Sequence, residues 1–436
     1  MTPETLHSVF EASLNQLEVS DPSRTLRSEA MASFNKLGYP TKKHENWRYT
    51  DLKPIVKAEL DPTPKSLTTN QIKQSNRLLD TSLLDDGAAR LVLVDGELLP
   101  NAQTLDGIQG LTILGHEETW QRISELQSVE LFQRHPLAAL NTAFASSGIL
   151  IKLSENTNVE QPLHLIFTST QAANKAIQPR ILIDIGAGSK LTIVQHFVGE
   201  DSVANWTNLV TQITQSKESH LTIYRFQEYG NEQFHTELID AKIAQDAKLK
   251  LGYVDLGGKL VRNDVQVDLA EPGAACEIFG VFLATQGQHV DNHTRIDHTA
   301  PQTTSREAFR GIIGERGRGV FNGKVVVHRG AQGTDAQQSS DNLLLSERGE
   351  IDTKPELEIY TDDVKCAHGA TVGELDAEQL FYIRSRGVDE DTAKGLLTFA
   401  FANDVLRRIE VPEVRERVAS CVAGQLPDYE NWGGLL

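Results

Sequence analysis

The stretch GAGSKLTIVQHFV at 186–198 returns in altered form as SKESHLTIYRFQE at 216–228 and QDAKLKLGYVDL at 245–256. Each copy opens on a small or polar turn and runs on with apolar residues at every second place, the period of a strand. Leu191-Thr-Ile193, Leu221-Thr-Ile223 and Leu249-Lys-Leu251 hold matched places after their turns. The turns begin at 186, 216, 245 and, as EPGA, 271, so they lie 30, 29 and 26 residues apart; ERGRG at 315 and SERG at 346 are 31 apart. ILIKL, LHLIF, RILIDI and KVVVHRG extend the same period to either side. A repeat near 30 residues with two strands per unit predicts a β-solenoid, in which each rung buries its inward residues and hydrogen-bonds to its neighbours. An antiparallel sandwich is the competing reading of the same strands.

The composition suits a thin, repetitive core: 436 residues, 39% apolar and only 6% aromatic. Outside the repeats the period changes. TLHSVFEASLNQL and SRTLRSEAMASFNKLG have helical spacing, as do HEETWQRISELQ and ELFQRHPLAALNTAF. Residues 61–86, rich in Ser, Thr and Gln, read as a linker, and ARLVLVDGELL as a hairpin turning at Asp95-Gly96. The expected organisation is a mainly helical region at 1–147, a β-helix core at 148–365 and a helical region at 366–436. In the last of these, Asp376 can cap one helix and Asp389 another.

A formal charge of −18 argues against nucleic-acid binding, which needs basic surface, and fits protein partners. Three cysteines without a CxxC rule out a disulfide scaffold, and since a self-contained iron–sulfur site usually needs four ligands, they make this chain alone a poor cluster protein. Gly311-Ile-Ile-Gly-Glu-Arg-Gly317 is one residue too long between its outer glycines for a phosphate loop and continues as Arg318-Gly319, so nucleotide chemistry is not expected. The N-terminus lacks the layout of a secretion signal and no apolar run is long enough for a span, which makes the cytoplasm the expected address.

Two places carry ligand-type residues. In His289-Val-Asp-Asn-His293-Thr-Arg-Ile-Asp-His298, His289 and His293 share a strand face and His298 has the other parity. With Asp291 and Asp297 they suit zinc, or else form a hydrogen-bonded polar strand. In DDVKCAHGATVG, Cys366 and His368 stand two apart and share a face, where a thiol and an imidazole can ligate a metal, hold a sulfur species or act as a nucleophile pair. A buried thiol beside a turn histidine is the plainer reading.

HENWRYTDL at 44–52, the long block from AQGTDAQQ to RSRGV at 331–388 and AKGLLTFAFANDVL after it resemble the SufB/SufD family of iron–sulfur cluster assembly proteins. So do SSGILIKLSENTNVEQPLHLIF at 146–167 and VDNHTRIDHTAP at 290–301. The run from Cys366 to Gly373, C-x-H-G-A-T-x-G, is similar to the SufD form.

The resemblance implies a right-handed parallel β-helix core with N- and C-terminal helical regions. It implies a non-catalytic scaffold that pairs with SufB through the β-helix and with the SufC ATPase through its C-terminal helices. Leu396, Phe399 and Phe401 are then the candidate SufC contacts; Phe399 and Phe401 lie on opposite sides of their helix, so one apolar face can pack on the solenoid's end and leave the other for SufC, or else both are buried within the chain's own helical unit. His368 is expected to face SufB and to serve as a ligand of a shared nascent cluster; Cys366 accompanies it with a less defined role. No cofactor is expected to be bound by this chain alone, only a transient iron–sulfur cluster in the complex, and no flavin site is recognisable. A homodimer is expected where SufB is absent, through exposed solenoid edges. The alternatives are a SufB-like primary scaffold, a β-helical polysaccharide lyase or hydrolase, and an independent thiol enzyme built on Cys366 and His368.

Overall fold

The computed structural model describes residues 3–63, 66–80, 89–99, 105, 108–126, 129–145, 148–171, 174–201 and 203–432. Two sheets face each other, and from β7 to β20 the chain alternates between them. The first runs in the spatial order β2 (Glu97–Leu98), β1 (Ala89–Val94), β5 (Leu163–Ser169), β8 (Lys190–Gly199), β10 (His220–Glu228), β12 (Lys248–Asp255), β14 (Ala275–Ala284), β16 (Thr304–Ile313), β18 (Asp335–Leu344), β20 (Lys365–Gly373). The second runs β3 (Leu111–Leu114), β4 (Gly148–Leu153), β7 (Arg180–Ile185), β9 (Trp206–Gln215), β11 (Phe234–Ile243), β13 (Leu260–Leu269), β15 (His289–His298), β17 (Arg318–Val327), β19 (Glu350–Ile359), with β6 (Ala176–Ile177) paired to β9. Every pairing from β4 and β5 onward is parallel, as successive rungs of a solenoid require. The antiparallel sandwich is thereby excluded.

The repeats register as their sequence implies. Leu221 pairs with Leu191 and Leu249, and Ile223 with Ile193 and Leu251. These side chains form continuous columns in the interior, where burying each one stabilises by roughly 1.5–3 kcal/mol. The corners explain the small and polar turn residues. Gly188, Glu218 and Gly273 have positive φ at the third place of their turns, and Asp246 at the second. Three of these amides hydrogen-bond to the next rung, Gly188 to the carbonyl of Lys217, Glu218 to that of Gln245 and Asp246 to that of Pro272. Glycine adopts this conformation freely, and polar residues tolerate it better than branched ones.

Helices cover the outer face of each sheet. α1 (Pro3–Leu14), α2 (Arg24–Leu37), α5 (His116–Glu125), α6 (Val129–Arg134) and α7 (Pro136–Phe144) lie on the second sheet, burying Trp120 and Phe144 with Leu182, Trp206, Phe234 and Leu260. α9 (Glu390–Leu406), α10 (Pro412–Gly424) and α11 (Tyr429–Trp432) lie on the first, against Val194, Tyr224, Phe279 and Ile312. The C-terminal helices therefore pack on the flank of the solenoid, not on its end.

Three boundaries differ from the sequence reading. The supposed linker holds α4 (Thr69–Leu79), started by a full capping box between Thr68 and Gln71; its polar composition hid it. A short helix not read from the sequence, α3 (Lys53–Lys57), carries Pro54 in its first turn. The β-helix reaches outside 148–365 at both ends, through β1, which pairs in parallel with β5, and through β20, which ends at Gly373. Cys366 and His368 thus belong to the solenoid and not to the helical region.

Candidate functional site at the open rung

β19 and β20 end their sheets, each paired on one side only. The helices on both flanks stop short of them, so β20 is exposed along nearly all its length. Cys366 and His368 share the inward face, as their spacing predicts, but no further rung covers them. Their columns run back through the protein: Cys366 stands over Ala336, Ser305 and Cys276; His368 over Gln338, Glu307 and Ile278. His368 is exposed, and its side chain makes no hydrogen bond among the described residues.

Cys366 is half-buried against Val325, Val327, Ala331 and Ala336. Burial raises its thiol pKa, and Asp335 adds to this. A thiol held protonated is a poor autonomous nucleophile, which counts against the independent thiol enzyme. Large apolar side chains gather at the same end. Of the six exposed ones among the described residues, five are Ile359, Tyr360, Val372, Phe381 and Tyr382, from β19, β20, their connection and α8 (Ala377–Arg384). A concentrated apolar patch around an open sheet end marks a protein-binding surface.

Beneath His368 lie two residues that the sequence reading passed over. Glu307 is buried, and its carboxylate accepts from Gln338 Nε2 at 2.6 Å. Burial pushes its pKa up to about 7, with Thr294 and Gln338 partly offsetting that rise. Extending the Leu-x-Ile alignment by three rungs would have found both, since they hold the second inward place after their turns.

The histidine-rich strand divides by parity as expected. His298 points inward, bonded to Thr303 Oγ1 at 2.7 Å and Ser305 Oγ at 2.9 Å. His289 and His293 point outward and help clasp the N-terminal segment to the sheet. His289 pairs with Thr50 Oγ1 at 2.7 Å, and the Thr50 hydroxyl donates to Asp291. Asp291 also takes Arg262 at 2.7 Å and His293 at 2.9 Å, and Trp47 stacks on Arg262 at 3.8 Å. Burial lowers the pKa of both His289 and His298 to about 4, so both rings are neutral. This hydrogen-bonded clasp and the buried His298 fit the polar-strand reading. Trp47 and Thr50 lie in the HENWRYTDL segment, which closes over a cleft of about 490 Å³.

The helix residues do not form an open face. Phe399 is buried, its ring 6.0 Å from that of Trp432; Leu396 and Phe401 are partly buried in the same cluster, with Arg310 over Phe401 at 5.5 Å. The expectation of a free apolar face at these three positions is corrected in favour of packing within the chain. The exposed apolar residues of the C-terminal region sit one helix earlier, at Phe381 and Tyr382.

Residues 167–401 match the family described as SUF system FeS cluster assembly, SufBD core domain, and residues 4–165 match the SufBD protein N-terminal region. The chain belongs to the SufBD family. It is 28% identical to the iron-sulfur cluster assembly protein SufD of Escherichia coli over 90% of each chain. It is 26% identical to an iron-sulfur cluster assembly SufBD family protein of Synechocystis, covering 97% of this chain and 99% of that one. The chloroplastic protein ABCI7 of Arabidopsis thaliana is 28% identical, with 93% and 86% covered. The core match runs from the end of β5 through β20 and on through α8 and most of α9, so it includes the open rung. Among the described residues, no helix is long and apolar enough to cross a membrane.

Proposed function

We propose that this SufBD-family chain is a non-catalytic scaffold subunit for building iron–sulfur clusters, closer in role to SufD than to SufB. The observation that carries it is the open rung: a thiol and an imidazole on one inward face, ringed by exposed apolar side chains, where the solenoid has no covering. A SufB-type chain with its own open rung covers this end, and the cluster takes ligands from both chains. His368 contributes the imidazole, and its neutral ring can ligate iron. Cys366 assists from a half-buried place, its thiol less available. The nucleotide chemistry belongs to a separate ATPase of the SufC type. That partner meets the C-terminal helices, with Phe381 and Tyr382 as the exposed anchors in place of the buried Phe399. The cytoplasm, or the equivalent compartment of an organelle, is the address this reading implies.

The experiment is anaerobic reconstitution of the complex with iron and sulfide, followed by visible absorption and activation of an acceptor protein. His368→Ala should leave folding and assembly intact and lower cluster yield at least tenfold, while Cys366→Ser should be milder. Wild-type yield from His368→Ala would overturn the role given to this residue.

A further inference from the structure

The interior column that ends at His368 changes character along its length. Leu163, Ile193, Ile223, Leu251 and Ile278 are apolar; Glu307, Gln338 and His368 follow on the next three rungs. Glu307 and Gln338 are each 4% exposed. A carboxylate and an amide in an apolar column are destabilising unless their hydrogen bonds are made. One bond is present, from Gln338 Nε2 to Glu307 Oε2 at 2.6 Å. It commits the nitrogen end of the amide to the rung behind, and Gln338 Oε1 is left buried without a partner. The facing sheet makes room for this amide with a glycine: a Cβ at Gly323 would stand 2.0 Å from Gln338 Nε2. The next residue in the column is His368, paired in register with Gln338 across a strand spacing of about 4.8 Å.

We propose that Glu307 and Gln338 are positioning residues for His368, forming a carboxylate–amide–imidazole ladder in which Gln338 Oε1 accepts the N–H of one ring nitrogen. The other nitrogen is then unprotonated and faces the open rung. An imidazole that ligates a metal commonly donates its second N–H to a fixed oxygen, which sets tautomer and ring orientation, and loss of such a partner lowers affinity or activity by roughly 10–100-fold. Here the oxygen comes from the preceding rung, and Glu307 keeps the amide from turning over. The functional meaning rests on the role proposed above for His368; the ladder itself does not.

The test uses full-length protein labelled with ¹⁵N-histidine, with His368 assigned by its loss in His368→Gln. At alkaline pH the two ring nitrogens report the tautomer directly. The wild-type ring should be held in one tautomer. Gln338→Met should return it to the mixture of a free imidazole, whereas Glu307→Gln, which still offers an acceptor to the amide, should keep it held. If Gln338→Met fails to fold because it strands the Glu307 carboxyl, the double variant Glu307→Gln/Gln338→Met removes that charge and gives the same readout. A wild-type ring that already shows the free mixture, or a tautomer unmoved by Gln338→Met, overturns the ladder. In reconstituted complexes Gln338→Met should cut cluster yield about tenfold. Should His368→Ala build clusters normally while the tautomer shifts hold, the ladder stands and the function proposed for His368 falls.

Discussion

Replacing Glu307 by Gln should stabilise the protein at high pH and flatten its pH dependence. The carboxyl is buried, and its pKa is raised from 4.5 to about 7. The folded state therefore holds a proton that the unfolded chain releases. Stability from this group is fully present below pH 4.5, declines as the pH rises, and is gone above 7. The full shift corresponds to roughly 3 kcal/mol, most of which falls between pH 5 and pH 8. Gln imitates the protonated acid and can still accept from Gln338, so the variant should lack this loss. Urea unfolding of both proteins at pH 5 and pH 8 isolates the effect, because every other titrating group is common to the pair. The variant should gain roughly 2–3 kcal/mol on wild type between the two pH values. Parallel stability curves for the two proteins would show that Glu307 ionises freely in the fold, and the account of the buried column would be wrong.

Phe399→Ala should leave a cavity under α9 and cost about 3–5 kcal/mol in denaturant unfolding, while Phe381→Ser should leave stability within about 0.5 kcal/mol and weaken capture of the ATPase partner. Equal stability effects at the two positions would contradict their burial. Thr50→Val should leave Asp291 and His289 short of a shared partner and destabilise by roughly 1–3 kcal/mol, read by faster proteolysis near HENWRYTDL. An unchanged cleavage pattern there would mean that Trp47 on Arg262 holds the segment alone. Thr68→Ala should remove the start of α4 at about 1 kcal/mol, detectable as faster amide exchange over residues 69–79.

The solenoid was readable because its turns and its Leu-x-Ile runs recur in register, and β-helix pairing follows from register alone. The reading was weakest where a local rule is silent. β1 joins the sheet across some seventy residues of chain, and its six-residue run looks the same whether it ends a hairpin or a rung. α4 buries only Ser75 among its described side chains, so its apolar signal is faint. In the interior, Arg225 bonds to Glu237 and Asp255, and Glu307 to Gln338, so polar groups interrupt the hydrophobic pattern, the second pair in the column that ends at His368. Cys366 and His368 were visible as a shared-face pair, yet their place on an open rung was not, because the helical pattern after 376 gives no sign of where the last strand ends. Leu396, Phe399 and Phe401 were misplaced for a related reason: a helix with two apolar faces does not reveal which one meets its own sheet.

The two lips of the solenoid mouth are chemically unlike. Along Glu350–Ile359 a charge stands at every second position, Glu350, Asp352, Lys354, Glu356 and Glu358, and Pro355 interrupts the amide row. Such a lip repels a strand laid beside it. Between Cys366 and Gly373 there is no proline and no Lys, Arg, Asp or Glu, so that lip presents unguarded amides and carbonyls. An incoming backbone is admitted on one side and turned away on the other, which makes the mouth a keyed socket that a partner can enter in a single orientation. On the function proposed above, the same unguarded lip is the edge left open to self-association whenever that socket stays empty.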